Sequence, residues 1–190
     1  MTTESVITHD VVSIEQQDNL GIITINYAPV NALSQAVRQG VITAIASLEA
    51  DLAVKVIVIR CQGKTFIAGA DIKEFGKPPT APFLPDVVNR IEACTKPVVA
   101  SMGTYAASGG YWISAPADKI YAAPSTITGS IGIFGMMMTF EDSLSKMGIH
   151  TDGVGTTDIA GFGPTQELTP GMANLFQLSI NRGYQEFIQL

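Results

Sequence analysis

The stretch "YAASGGYW", Tyr105 to Trp112, sets one serine among small residues, ahead of two glycines and beside the chain's only tryptophan. Its core, Ala106-x-Ser108-x-Gly110, is close to the strand-turn-helix elbow that lifts a nucleophilic serine out of a sheet. Ser108 therefore reads in two ways, as a nucleophile or as a small residue where backbone packs tightly. A serine hydroxyl attacks only when a base takes its proton. Of the two histidines, neither His9 nor His150 has a convincing aspartate partner in sequence, and both read as surface residues. No lysine sits in an apolar run that would lower its pKa. The S-x-x-K spacing of Ser143 to Lys146 falls on a helix expected to be exposed, and Glu141-Asp142 reads as the acidic start of that helix.

A second kind of chemistry needs no reactive side chain. "IAGAD", Ile67 to Asp71, and "ASGGY", Ala107 to Tyr111, each follow an apolar run that predicts a buried strand. At the carboxyl ends of parallel strands, glycine turns let backbone N–H groups come close to a ligand and hold a developing oxyanion. Gly129, Gly132 and Gly135 lack the spacing of a dinucleotide fingerprint, and there is no P-loop. Cys61 and Cys94 lack metal-ligand spacing, and Met136 to Met138 read as core or subunit contact, so no metal site is expected.

The elements that must position these turns follow from periodicity. "VVSIEQQDNLGIITINY" predicts a hairpin turning at Asp18 to Gly21. Ser34 is a fair cap for a helix whose apolar face carries Val37, Val41, Ile45 and Leu48. "VKVIVIRCQG" is a continuous apolar run, expected as a parallel strand covered on both faces. "KTFIAGADIKEF" reads as a loop, "GKPPTAPFLP" as a surface loop, "DVVNRIEAC" as a helix and "KPVVASMG" as the next buried strand. Short strands follow in "DKIYAAP" and "TGSIGIFG", then a short helix within Thr139 to Gly148. A last helix is capped by Thr169 and Pro170, with Phe176, Ile180, Tyr184, Phe187 and Ile188 in one stripe. Strands alternating with helices predict an α/β domain with right-handed crossovers.

With 190 residues, 46% of them hydrophobic and 15% charged, the chain suits one ordered domain. Its net charge of -6 argues against nucleic acid as a partner. Lys96 is followed by seven acidic and only three basic residues, which predicts a second half that is more buried or richer in interfaces. The uncharged runs Pro97–Ala117 and Ile120–Phe140 are broken by Gly, Pro, Ser and Thr, so no membrane span is expected. Neither a signal peptide nor a disulfide framework is visible, and the expected location is cytoplasmic.

Two resemblances divide the chain near residues 98–104. "GIITINYAPVNALS", "VKVIVIRCQGKTFIAGADIKEFGKPP" and "IEACTKPVVA" resemble the enoyl-CoA hydratase (crotonase) family. From Val98 onward, "VVASMGTYAASGGYWISAPADKIYAAPSTITGSIGIFG" and "HTDGV" resemble the carboxyl-terminal half of signal peptide peptidase A, or protease IV. Both resemblances imply the ClpP/crotonase fold, stacked β-β-α units around a mostly parallel sheet, as one domain over residues 1–190. A strand and elbow common to both families make a chimera physically credible.

Similarity to crotonases implies an oxyanion hole from the backbone N–H groups of Ala70 and Gly109. It also implies that Ala68, Ala70 and Ile72 help to seat a coenzyme A thioester, with no further cofactor required. The two glutamates of hydratases fall at Trp112 and near Ser130, so neither carboxylate is present. Similarity to the peptidase implies Ser108 as nucleophile, yet its lysine base belongs to a half that is replaced here, or to a position where this chain reads "TTDIAGFG". The expected function is weak acyl-thioester binding with little or no catalysis. The alternatives are a serine peptidase with a lysine from elsewhere acting on a peptide ligand, and a non-catalytic scaffold. Both resemblances imply a homo-oligomer, a trimer or a multiple of it.

Overall fold

A computed structural model describes residues 7–9, 11–157, 159–160 and 162–189. They form two compact units, one within residues 7–131 and one within residues 132–189.

In the first unit, strands β1 (Ile7–His9), β2 (Val12–Gln17) and β3 (Leu20–Ile25) are antiparallel neighbours. They form the expected hairpin with a turn at Asp18 and Asn19 that is two residues shorter than the expected Asp18 to Gly21, because Leu20 and Gly21 pair with β2. Helix α1 (Gln35–Ala50) starts at Ser34, whose hydroxyl accepts from the Val37 amide. Its buried face holds Val37, Val41, Ile45 and Leu48. The chain then runs through β4 (Val56–Cys61), β5 (Thr65–Ile67), α2 (Leu84–Glu92), β6 (Val98–Ser101), β7 (Tyr105–Ala107), α3 (Gly109–Ser114), β8 (Lys119–Tyr121) and β9 (Ile127–Gly129).

The topology explains why two distant turns become neighbours. One sheet has the order β1-β2-β3-β4-β6-β8, and a second, wholly parallel sheet has the order β5-β7-β9. From β4 onward each repeat places its first strand in the larger sheet and its second in the smaller one. This is the stacked β-β-α arrangement, and it sets the ends of β5 and β7 side by side.

One face of the larger sheet is the core. Val12, Ile14, Ile23, Ile25, Ile57 and Ile59 pack with the apolar face of α1 and with Val87 and Ile91 of α2. The expectation that β4 is covered on both faces is corrected. Val56 and Val58 are only half-buried and Arg60 is exposed. Arg60 donates to Thr24 Oγ1 and pairs with Glu15 on that face. An arginine and a glutamate there keep the face wet, which the apolar run around them concealed. Helix α2 begins two residues earlier than expected, because Pro85 suits a first turn and Asp86 accepts from the Phe83 amide.

The second unit holds α4 (Glu141–Lys146) and α5 (Pro170–Ile188), the latter capped by Thr169 Oγ1 on the Met172 amide. Of the expected apolar stripe on α5, only Phe187 is buried, whereas Phe176, Tyr184 and Ile188 are exposed. Phe134, Met136, Met138 and Met147 are exposed as well. The second half is therefore not the more buried one. Few charges there reflect exposed apolar surface instead of a larger core. No helix among the described residues is long and apolar enough to cross a membrane.

The end of α1 is tied to the approach of β6 through Glu49. Its carboxylate accepts from the Thr95 amide at 2.6 Å and the Thr95 hydroxyl at 2.8 Å, and it pairs with Arg90. The Thr95 amide first, then the Arg90 side chain, holds Glu49 down from 4.5 to about 2. A depressed carboxylate contributes stability that is complete above its unfolded pKa and fades as pH falls toward the folded one. The thermal midpoint is therefore expected to drop between pH 4.5 and about 2. Glu49→Gln should be less stable at pH 7 and decline less steeply across that window. Parallel pH profiles of the two proteins would contradict this role.

Candidate active site

Ser108 lies between β7 and α3 with φ 52° and ψ −117°. A non-glycine residue at this φ is strained, and strain of this kind persists only where the surroundings enforce it. Here they do so from both sides. The Ser108 amide donates to the Gly129 carbonyl at 2.9 Å, and its own carbonyl accepts from the Trp112 amide at 2.9 Å. The serine is thus held at a strand-turn-helix elbow with its side chain half-buried.

The "IAGAD" turn sits directly against this elbow. Gly69 has φ 132°, and a Cβ placed on it would lie 3.4 Å from Ser108 Cβ and 3.7 Å from Ser108 Oγ. A Cβ on Gly109 would lie 3.7 Å from the Gly69 carbonyl carbon and 2.6 Å from Leu33 Cδ1. A Cβ on Gly110 would lie 2.3 Å from the Ile67 carbonyl oxygen. The Ile67 carbonyl thus occupies the space that a side chain at position 110 would need.

Leu33 locks the first turn further. Its amide donates to the Gly69 carbonyl at 2.9 Å, and it forms a parallel bridge to Ala70. In such a bridge the residues flanking Ala70 make the bonds, so the Ala70 N–H points away from Leu33. Asp71 is buried, accepting from Tyr27 Oη at 2.9 Å and from the Lys73 amide at 3.0 Å.

Two cavities meet at Ala70. One, of about 320 Å³, is lined by Tyr27, Pro29, Ala68, Ala70, Ile72 and Lys73. It brings together Ala68, Ala70 and Ile72, the three residues expected to help seat a coenzyme A thioester. The other, of about 450 Å³, is lined by Ala70, Glu74, Phe75, Lys77, Phe83 and Leu84 among others. Leu84 also reaches within 3.5 Å of where a Gly109 Cβ would lie, so this second cavity backs onto the elbow.

Arg38 was not visible as a site residue, yet it organises the wall of the larger cavity. It is buried on α1, donating to the carbonyls of Leu33 and Pro82 at 2.6 Å and of Thr80 at 3.1 Å, and pairing with Glu74 at 2.9 Å. The signal was one arginine beside Val37 on an otherwise apolar helix face. Apart from Leu33, its partners lie 36 to 44 residues away in sequence, so spacing could not reveal them.

Trp112, where the resemblance to hydratases implies one glutamate, is buried in α3, and Ser130, near which it implies the other, is exposed at φ 53°. Neither offers a carboxylate. Among the described residues no hydrogen bond reaches Ser108 Oγ. His9 lies on β1, its side chain outside the described residues, and His150 is exposed in the second unit. The S-x-x-K pair lies on exposed α4, as expected. Cys61 and Cys94 are free, and burial raises both thiols, which leaves them poor nucleophiles. Among the described residues no cluster of His, Cys, Asp and Glu could hold a metal ion.

Strand order and the elbow define a crotonase/ClpP-like α/β protein, and the solved structures agree. A probable enoyl-CoA hydratase/isomerase from Mycobacterium abscessus superposes with a TM-score of 0.58 at 29% identity, over 66% of this chain and 50% of that one. The model of peptidase family S49 matches residues 90–190, and the chain belongs to that family. Protease 4 of Salmonella typhi is 57% identical over 98 residues, 52% of this chain but 16% of that protein. A probable enoyl-CoA hydratase of Mycobacterium tuberculosis is 32% identical over 128 residues, 64% of this chain and 49% of that protein. The chain thus spans a small part of the first relative and about half of the second. It carries both likenesses, the mosaic expected from its motifs.

The contact between the turns can be tested with one added methyl group. Gly110→Ala would force a Cβ into the Ile67 carbonyl and is expected to cost about 3 kcal/mol or to abolish folding. Gly132→Ala meets nothing within 4 Å and should change stability by less than about 0.5 kcal/mol. Equal thermal midpoints for Gly110→Ala and the parent would contradict the described contact.

Proposed function

We propose that this chain binds acyl thioesters of coenzyme A, with the thioester carbonyl held by the amides of Ala70 and Gly109. The observation that carries the reading is the meeting of the two cavities at Ala70, against the turn that abuts Gly109. In this reading the smaller cavity takes the nucleotide end beside Ala68 and Ile72, and the larger one takes the acyl chain. Lys73, its ammonium 5.6 Å from the Tyr27 ring, supplies positive charge at the mouth of the smaller cavity. Hydratase chemistry requires a carboxylate to activate water and another to protonate carbon, and Trp112 and Ser130 provide neither. Hydration of an enoyl thioester is therefore absent or slow, consistent with a chimera that joins parts of two mechanisms.

Calorimetry with butyryl-CoA tests this. Saturable binding to the parent is expected, with at least about tenfold weaker binding by Ala68→Trp, whose indole would fill the smaller cavity. Absence of binding to the folded parent, or unchanged affinity in Ala68→Trp, would refute the proposal.

The strained elbow favours a second reading, a serine peptidase in which Ser108 attacks a peptide and a lysine from elsewhere serves as base. Covalent labelling by a fluorophosphonate, lost in Ser108→Ala, is the expected outcome for that reading. No labelling even at alkaline pH would exclude it.

A further inference from the structure

The mosaic places the serine of one family beside the thioester turn of the other, and that juxtaposition suggests a reaction belonging to neither likeness. We propose that Ser108 accepts the acyl group of a bound thioester, forming an acyl-serine and releasing free coenzyme A. This rests on the thioester-binding reading. Its support is geometric. Ser108 Oγ lies 3.7 Å from the Cβ position of Gly69, the residue joined to Ala70, and Ala70 borders both cavities. The elbow keeps the hydroxyl over this turn, because the main chain of Ser108 is bonded on one side to Gly129 and on the other to Trp112.

The bond changes balance without a cofactor. The serine oxygen attacks the thioester carbon, the two amides receive the developing oxyanion, and the carbon–sulfur bond breaks. The serine proton passes to solvent hydroxide, and the thiolate leaves and takes a proton from water. The net change is serine hydroxyl plus acyl thioester giving acyl-serine plus thiol. Water then attacks the ester, releasing a carboxylic acid and restoring the hydroxyl.

The choice of thioester over peptide follows from the leaving group. A thiol has a pKa near ~8.5 and departs as the anion, whereas an amine must be protonated before its bond breaks. A serine with oxyanion donors and solvent as base can therefore turn over a thioester slowly and leave an amide untouched. The rate should rise with pH, because hydroxide takes the proton.

Intact-mass spectrometry of the full chain with butyryl-CoA, at pH 7 and at pH 9, tests this alongside a thiol assay and calorimetry. The expected result is one butyryl adduct mapped to Ser108, with released coenzyme A increasing with pH. In Ser108→Ala the adduct should vanish and thiol release fall at least about tenfold while binding persists. Ser108→Gly, which tolerates the left-handed backbone, should behave alike and covers the case in which alanine disturbs the fold. Binding without adduct or thiol release would overturn the acyl transfer and leave the binding reading intact. An adduct that survives in both variants would also overturn it. Loss of binding by the folded parent would end both.

Discussion

The close approach of two turns that are remote in sequence governs everything built around it. Strand β5 ends at Ile67, two residues before Gly69, and strand β7 ends at Ala107, just before Ser108, and adjacent positions in one small parallel sheet bring those ends together. The contact is possible because Gly110 carries no side chain where the Ile67 carbonyl lies, Gly109 none where Leu33 lies, and Gly69 adopts a φ of 132°. A Cβ on Gly110 would have to displace the Ile67 carbonyl, and one on Gly109 the Leu33 side chain. The free energy for such tight packing comes from the core face beneath, where α1 and α2 cover the larger sheet.

From that contact the chemistry follows in order. Backbone donors survive exchange of neighbouring side chains, so an oxyanion turn can outlast the loss of a mechanism's acids and bases. Main-chain bonds to Gly129 and Trp112 likewise hold the serine at its strained elbow whatever side chains surround it. In the reading proposed above, two partial sites share this one scaffold. Arg38 adds the remaining constraint, tying Leu33, Thr80, Pro82 and Glu74 into one wall.

Much of this arrangement was legible in the sequence because it is local. Val37, Val41, Ile45 and Leu48 at helical spacing, Ser34 as cap, and glycine turns after apolar runs each describe a short segment whose physics is self-contained. The motif "AGADIKEF" and the elbow "AASGGY" also marked the two turns that come together. Non-local features stayed hidden. Nothing near Arg60 shows that its face of β4 is wet, since its partners Thr24 and Glu15 lie on other strands. The stripe on α5 looked like core because periodicity reports which residues share a face and not whether anything covers it. Pro85 looked like loop because prolines crowd the segment before it, although a first helical turn accepts one.

The central claim is that the amides of Ala70 and Gly109 address one carbonyl, and amide NMR measures it most directly. With nitrogen-15-labelled protein titrated with butyryl-CoA, the account predicts that both amides shift downfield along a shared binding curve. Movement of only one of them, or shifts that saturate at different concentrations, would mean that the two turns touch without forming a common site.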